Sequence, residues 1–127
     1  MPCSCTPSTD FEPIIQGADY AYDLEVSEIP EGSTEASPVD LTGAVFRAQL
    51  RKTASSPNEL VNFVPSITDG LAGKVSFSLS HTATADLPPT PCETGWAHDV
   101  FADLADGRTL CLIPLTYLAV TPSASKV

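Results

Sequence analysis

The chain has 127 residues, of which 43% are hydrophobic and 17% charged, a balance that fits one folded domain and excludes a wholly disordered chain. Sixteen acidic residues oppose six basic ones, and the formal net charge of −10 disfavours nucleic-acid binding, because an acidic surface repels phosphate. Only Arg47, Arg51 and Lys52 cluster, too few for a basic footprint.

No segment predicts a membrane span. The longest apolar stretch, residues 110–120, is interrupted by Pro114 and is shorter than the roughly 20 residues that cross a bilayer. The first five residues have neither a basic start nor an apolar segment, so we expect no signal peptide and synthesis in the cytoplasm.

The first third of the chain predicts an arm, two strands and a loop. Residues 1–10 are small and polar and indicate an extended arm. Residues 11–15 predict a short edge strand, because Pro13 is excluded from a central position. Residues 18–26 alternate as a half-buried strand, and residues 27–40 predict an exposed acidic loop. The apolar face of the 18–26 strand consists of Ala18, Tyr20, Tyr22, Leu24 and Val26.

A polar turn opens directly into the next strand. Residues 38–43, with Pro, Asp and Gly, predict the turn. Residues 44–51 then alternate at period two, which predicts a strand. Its inward side chains are Ala44, Phe46, Ala48 and Leu50, and its outward ones are Val45, Arg47, Gln49 and Arg51.

The middle of the chain predicts two further strands and one helical turn. Residues 59–64 indicate a short strand, and Gly70 and Gly73 bracket a hairpin into residues 74–80, where apolar residues alternate with serines. Residues 81–87 have little β-branched apolar content and stop at two prolines, so we expect a single helical turn that crosses between sheets.

The last quarter of the chain predicts a long hairpin. Residues 96–104 form one strand, and residues 105–107, Ala-Asp-Gly, supply the positive φ angles of a tight turn. Residues 108–121 return as the final strand, kinked or bulged at Pro114, and residues 122–127 form a short polar tail.

Six or seven strands at roughly ten-residue spacing are typical of an antiparallel sandwich. Each strand has one apolar face, so two sheets must cover one another. The sequence therefore predicts an all-β domain at residues 11–121, preceded by the arm.

Several segments carry a resemblance to a known family. They are residues 11–20, 39–43, 46–51, 73–80, 84–88 and the turn at 106–107. In this order they resemble small immunoglobulin-like β-sandwich proteins of tailed bacteriophages, found in tails, baseplates and fibre adaptors and similar to the N-terminal domain of baseplate upper proteins. The resemblance covers residues 11–121 and implies a structural virion component without catalytic residues. The Cys-Ser-Cys arm and residues 90–92 depart from the pattern.

Four cysteines leave their chemistry open. Cys3 and Cys5 are separated by one residue, whereas metal knuckles use two to four, so a metal site with Cys92 and Cys111 is disfavoured. A bond between Cys3 and Cys5 themselves would be strained. An arm cysteine that pairs with Cys92 or Cys111, or four unlinked thiols, remain the alternatives.

His81 and His98 are the candidate general bases at neutral pH. His98 shares a strand face with Trp96, which predicts a hydrogen-bonded histidine in or beside the core. Asp99 and Asp103 lie on the opposite face, where a pair of carboxylates binds a cation or, more commonly, stays solvated.

Other motifs favour no catalytic function. Ser76, Ser78 and Ser80 form the polar side of a strand and lack the Gly-x-Ser-x-Gly pattern. Residues 28–40 lack the ligand spacing of an EF-hand, and the chain has no phosphate-binding glycine loop. We therefore predict no catalytic, cofactor-binding or metal-binding residue.

Aromatic side chains offer the remaining alternative, a carbohydrate-binding surface. They are Tyr20, Tyr22, Phe46, Phe77 and Trp96. Their period-two placement on apolar faces predicts core positions, with Tyr117 as the outward exception.

The sequence favours a structural, non-enzymatic virion protein that is assembled in the host cytoplasm. Its edge strands, arm and acidic loop would join multiple copies to other tail, baseplate or fibre-adaptor proteins, without nucleic acid or membrane as partners. A capsid decoration protein and a carbohydrate-binding module for a host surface glycan are the alternatives.

Overall fold

The computed structural model describes residues 11–90 and 95–123. The predicted arm at residues 1–10, residues 91–94 and the end of the predicted tail lie outside the described part. In chain order the elements are β1 (Ile14–Ile15), β2 (Tyr20–Glu25), β3 (Ser27–Glu28), β4 (Ser37–Pro38), β5 (Val45–Arg51), β6 (Val61–Asn62), β7 (Val64–Asp69), β8 (Lys74–Leu79), α1 (His81–Ala85), β9 (Trp96–Asp103), β10 (Thr109–Leu118) and β11 (Val120–Thr121).

Two antiparallel sheets make the all-β sandwich that the sequence predicts. The four-stranded sheet has the order β10-β9-β5-β6, and the three-stranded sheet has the order β2-β8-β7. Two short ladders, parallel β1-β11 and antiparallel β3-β4, complete the pairing of the described residues.

Period-two alternation explains the central strands. In β2 and β8, Tyr22 lies opposite Phe77, and both point away from solvent. In β5 and β9, Ala48 lies opposite Val100, and both are buried. The predicted strands at residues 18–26, 44–51, 74–80 and 96–104 are confirmed, with ends that move by one or two residues.

Both sheets contribute to one core between them. Its fully buried side chains include Leu50 and Val100 from the four-stranded sheet and Phe77 and Val75 from the three-stranded sheet. Each such side chain contributes roughly 1.5–3 kcal/mol relative to an exposed one. Burial of these opposed faces is what holds the two sheets together.

The predicted turns and the helical turn are present. Gly107 has φ +95° in the hairpin that joins β9 to β10. Helix α1 begins after Ser80, whose hydroxyl oxygen accepts a hydrogen bond from the backbone N–H of Ala83. The pairing of β10 with β9 shifts register between Ile113 and Thr116, so the expected irregularity at Pro114 is confirmed.

The chain changes sheets at Phe63, where the sequence predicts one strand over residues 59–64. The Phe63 N–H donates to the carbonyl of Ala48 in the four-stranded sheet, while β7, which begins at Val64, pairs with β8 in the other sheet. The predicted single strand is therefore wrong. Two strands of different sheets replace it, with buried Phe63 between them.

Residues 27–40 differ from a plain exposed loop. They contain the β3-β4 ladder, and Val39 at their end is buried in the core. In the turn that follows, Leu41 is fully buried, so this turn is anchored by apolar side chains beneath its polar surface.

Candidate functional site

A buried histidine links the two sheets. His98 on β9 is 1% exposed, and its Nε2 lies 2.7 Å from the Tyr22 hydroxyl on β2. Its Nδ1 lies 2.9 Å from the carbonyl oxygen of Gln49. Both ring nitrogens therefore have partners inside the sandwich, which confirms the predicted hydrogen-bonded core histidine.

Burial controls the ionisation of this pair. It lowers the pKa of His98 below 6.5, against smaller opposing effects of the Gln49 carbonyl and Asp99. It also raises the pKa of the Tyr22 hydroxyl well above 10.0. Both groups are thus held neutral near pH 7, which suits a structural link between sheets.

His81 lies at the surface at the start of α1. Its backbone N–H donates to the Asp19 carboxylate at 2.7 Å, and its Nδ1 lies 3.2 Å from the same oxygen. Asp19 thereby joins the turn before β2 to the helix. The two candidate general bases occupy different environments, one exposed and one buried.

Asp99 and Asp103, which the sequence predicts on the face of β9 that points away from His98, lie on the solvent side of that strand. Asp103 accepts from Arg47 at 3.3 Å and from the Thr109 hydroxyl at 2.8 Å. Within residues 11–90 and 95–123, no group of three or more His, Cys, Asp or Glu side chains is arranged to hold a metal ion.

Cys111 is exposed on β10. Cys3, Cys5 and Cys92, which complete each proposed thiol arrangement, lie outside the described residues. Whether these cysteines form a disulfide, stay unlinked or take up the disfavoured metal site is therefore untested.

The predicted core aromatics pack inside the sandwich. The Tyr22 ring stacks on Phe77 at 5.5 Å, and Phe46 meets Phe77 edge-on at the same distance. Trp96 packs against the core, and its indole N–H donates to the carbonyl of Pro88 at 2.8 Å. Burial and nearby Glu12 raise the pKa of Tyr20 to about 12. Tyr117 is 46% exposed, as the strand alternation predicts.

Sequence patterns missed two members of this interior. Phe63 places its ring 4.6 Å from the His98 ring, and Gln16 is a buried amide that donates to the carbonyl of Leu87 at 2.6 Å. Neither residue sits in an alternating run, so only the meeting of the two sheets reveals them.

The serines on β8 have ordinary structural positions. Ser76 and Ser78 are half-buried on the solvent side of the three-stranded sheet, where they pair with residues of β2 and β7. Ser80 caps α1. This arrangement agrees with the polar strand face that the sequence predicts.

Strand β7 is an edge of the three-stranded sheet, and all six of its side chains are exposed. Two of them are large and apolar: Val64 is 61% exposed and Ile67 is 40% exposed. Strand β10 is the corresponding edge of the four-stranded sheet and exposes Leu115 and Tyr117. Both edge strands thus present large apolar side chains to solvent.

Among the described residues, no helix is long and apolar enough to span a bilayer, and α1 itself has five residues. No protein-family model matches the chain, and a search of curated proteins finds no significant match.

Proposed function

We propose that the chain is a non-enzymatic structural module of a tailed-bacteriophage virion. In this proposal it docks to proteins of the tail, baseplate or fibre adaptor, in multiple copies, after assembly in the host cytoplasm. The order of its strands and turns resembles that of small phage sandwich proteins, and this resemblance supports a phage virion as the assembly. The open edge strand β7 is the observation that carries the docking role.

The side chains of β7 favour a partner strand. Proteins that stay alone usually shorten, bend or charge their edge strands. β7 is six residues long and exposes Val64 and Ile67, although Pro65 and the irregular pairing near Asp69 reduce its regularity. A strand from a neighbouring protein would add main-chain hydrogen bonds and cover these apolar side chains.

The net charge of −10 supports assembly with a different protein. Exposed acidic side chains in residues 27–40 include Glu31 and Glu35. Because like charges repel, the free chain is expected to stay soluble until a complementary neighbour captures it. The same charge disfavours nucleic acid as a partner.

A glycan-binding role fits the geometry less well. Tyr20, Tyr22 and Trp96 are half-buried against the core, which leaves little ring surface for a sugar, although Tyr20 and Tyr22 line one open concavity. A capsid decoration protein would use the same kind of small β-domain. The two roles differ in location, because a decoration protein lies on the capsid and the proposed module lies in the tail.

The proposal is tested on particles of the phage that encodes this chain. Purified particles are separated into tails and capsids, and each fraction is quantified by mass spectrometry. The proposal predicts several copies of the chain per tail and none in isolated capsids. Recovery on capsids alone would favour decoration, and absence from both fractions would overturn a virion role.

A further inference from the structure

We propose that two copies of this chain pair through the outer face of the four-stranded sheet. We call it the β5–β9–β10 face and define it by Val45, Arg47, Asp99, Phe101, Leu115 and Tyr117. This inference goes beyond the proposed docking function, because the pairing needs no other protein. It can be true or false whether or not the docking function is correct.

The face carries exposed apolar side chains near both of its ends, with Val45 beside Asp103 and Tyr117 beside Ala97. Val45 is 64% exposed, Leu115 47% and Tyr117 46%. Half-buried Phe101 lies among them, with the Arg47 guanidinium 5.2 Å from its ring centre. A group of apolar side chains on one side of a soluble domain is typical of a contact surface.

A shallow concavity lies within the face. It has a volume of about 200 Å³, and Arg47, Arg51, Asp99, Phe101 and Leu115 line it. Both charged and apolar side chains line its walls. A complementary surface could therefore bury Leu115 and Phe101 and also pair its own charged groups with the arginines or with Asp99.

The net charge of −10 opposes contact between two copies elsewhere on the surface, but the mixed charges of this face permit a second copy of this chain as the occupant. Arg47, Arg51 and Lys52 are three of only six basic residues in a chain whose net charge is −10. On this face Arg47 and Arg51 lie beside Asp99 and Asp103 of the neighbouring strand, and Arg51 also lies 3.8 Å from Glu59. Two copies of an acidic protein meet with the least repulsion where each is locally balanced.

The face carries both positive and negative side chains, so the same face on a second copy can be complementary to it. Arg47 and Asp103 pair within one chain at 3.3 Å, yet their side chains remain 54% and 44% exposed. The half-buried Asp99 carboxylate forms no hydrogen bond or ion pair with any other residue in the described part of the chain. In a two-fold pair, an arginine of each copy can approach a carboxylate of the other, and the contact occurs twice.

The area of the face predicts a dimer of low affinity. Three strands about 4.8 Å apart, each about seven residues long, present on the order of 400 Å². Stable complexes bury about 800 Å² per partner. We therefore expect dimers at high protein concentration, or in an assembly that raises the local concentration.

Sedimentation velocity of the purified full chain, kept reduced, tests the pairing from low micromolar to millimolar concentration. The wild type should shift from monomer to dimer, and Leu115→Glu and Tyr117→Glu should each weaken association at least about tenfold. Ile67→Glu on β7 is the matched control, with similar exposure on the other sheet, and should associate as the wild type does. Circular dichroism shows that each variant is folded before it is compared.

A charge exchange tests the two-fold arrangement. Arg47→Glu should weaken the dimer, and Arg47→Glu combined with Asp103→Arg should restore it, because both signs are again present on each copy. A wild type that stays monomeric at millimolar concentration would overturn the proposal. So would an Ile67→Glu effect equal to that of Leu115→Glu, or a double exchange no better than Arg47→Glu alone.

Discussion

The Tyr22 hydroxyl donates a hydrogen bond to Nε2 of His98 across the interior of the sandwich, at 2.7 Å. The direction follows from the other ring nitrogen. Nδ1 faces the Gln49 carbonyl oxygen at 2.9 Å, and a carbonyl can only accept, so Nδ1 carries the proton. Nε2 is then the acceptor, and one buried bond ties β2 to β9.

Removal of this donor should destabilise the fold. Tyr22→Phe keeps the ring that stacks on Phe77 but leaves Nε2 of His98 buried without a partner. We expect the free energy of unfolding to fall by about 1–3 kcal/mol, measured by urea denaturation. Tyr117→Phe, at an exposed tyrosine, should change it by less than about 0.5 kcal/mol. Equal stability of Tyr22→Phe and wild type would show that the bond contributes nothing.

Stability should depend on pH through His98. Burial lowers its pKa in the folded state below the ordinary 6.5. As the pH falls below about 6.5, the unfolded chain therefore takes up a proton that the folded chain does not. The stabilisation is complete above this pH and is lost as the pH falls towards the folded pKa.

The free energy of unfolding, compared at about pH 7.5 and about pH 5.5, should therefore decrease at the lower value. His98→Gln should reduce this decrease, whereas His81→Gln, at an exposed histidine, should retain it. An undiminished pH dependence in His98→Gln would contradict the assignment.

Gly73 should tolerate no side chain. Its φ is +73°, and an added Cβ would overlap the carbonyl oxygen of Val26. Gly107 has φ +95° but open space around it. Gly107→Ala should therefore cost about 1–2 kcal/mol for its backbone conformation alone. Gly73→Ala should cost clearly more in the same urea titration. A similar decrease in the free energy of unfolding at both positions would show that the backbone at Val26 moves easily to accept a Cβ at position 73.

The sequence predicts those parts of the fold that bury one face of a strand. β2, β5, β8 and β9 alternate because one side faces the core, and Asp106 with Gly107 identifies the hairpin from local turn chemistry. β7 has no buried face, so its six exposed residues carry no alternation, and only the predicted hairpin at Gly70 and Gly73 indicates a strand before β8. The parallel β1-β11 pairing and the Tyr22–His98 bond join residues far apart in the chain. Their partners depend on how the two sheets meet, which no local pattern contains.

The docking role of β7 is tested most directly by incorporation into particles. Phage that encodes Val64→Lys together with Ile67→Lys should assemble tails with at least about tenfold fewer copies of the chain, because two charges on the edge oppose a partner strand. Both side chains are exposed, so the purified variant should remain folded. Leu71→Lys, 74% exposed in the turn beyond β7, is the matched control and should be incorporated normally. Incorporation of the double variant at the wild-type level would contradict docking through this edge.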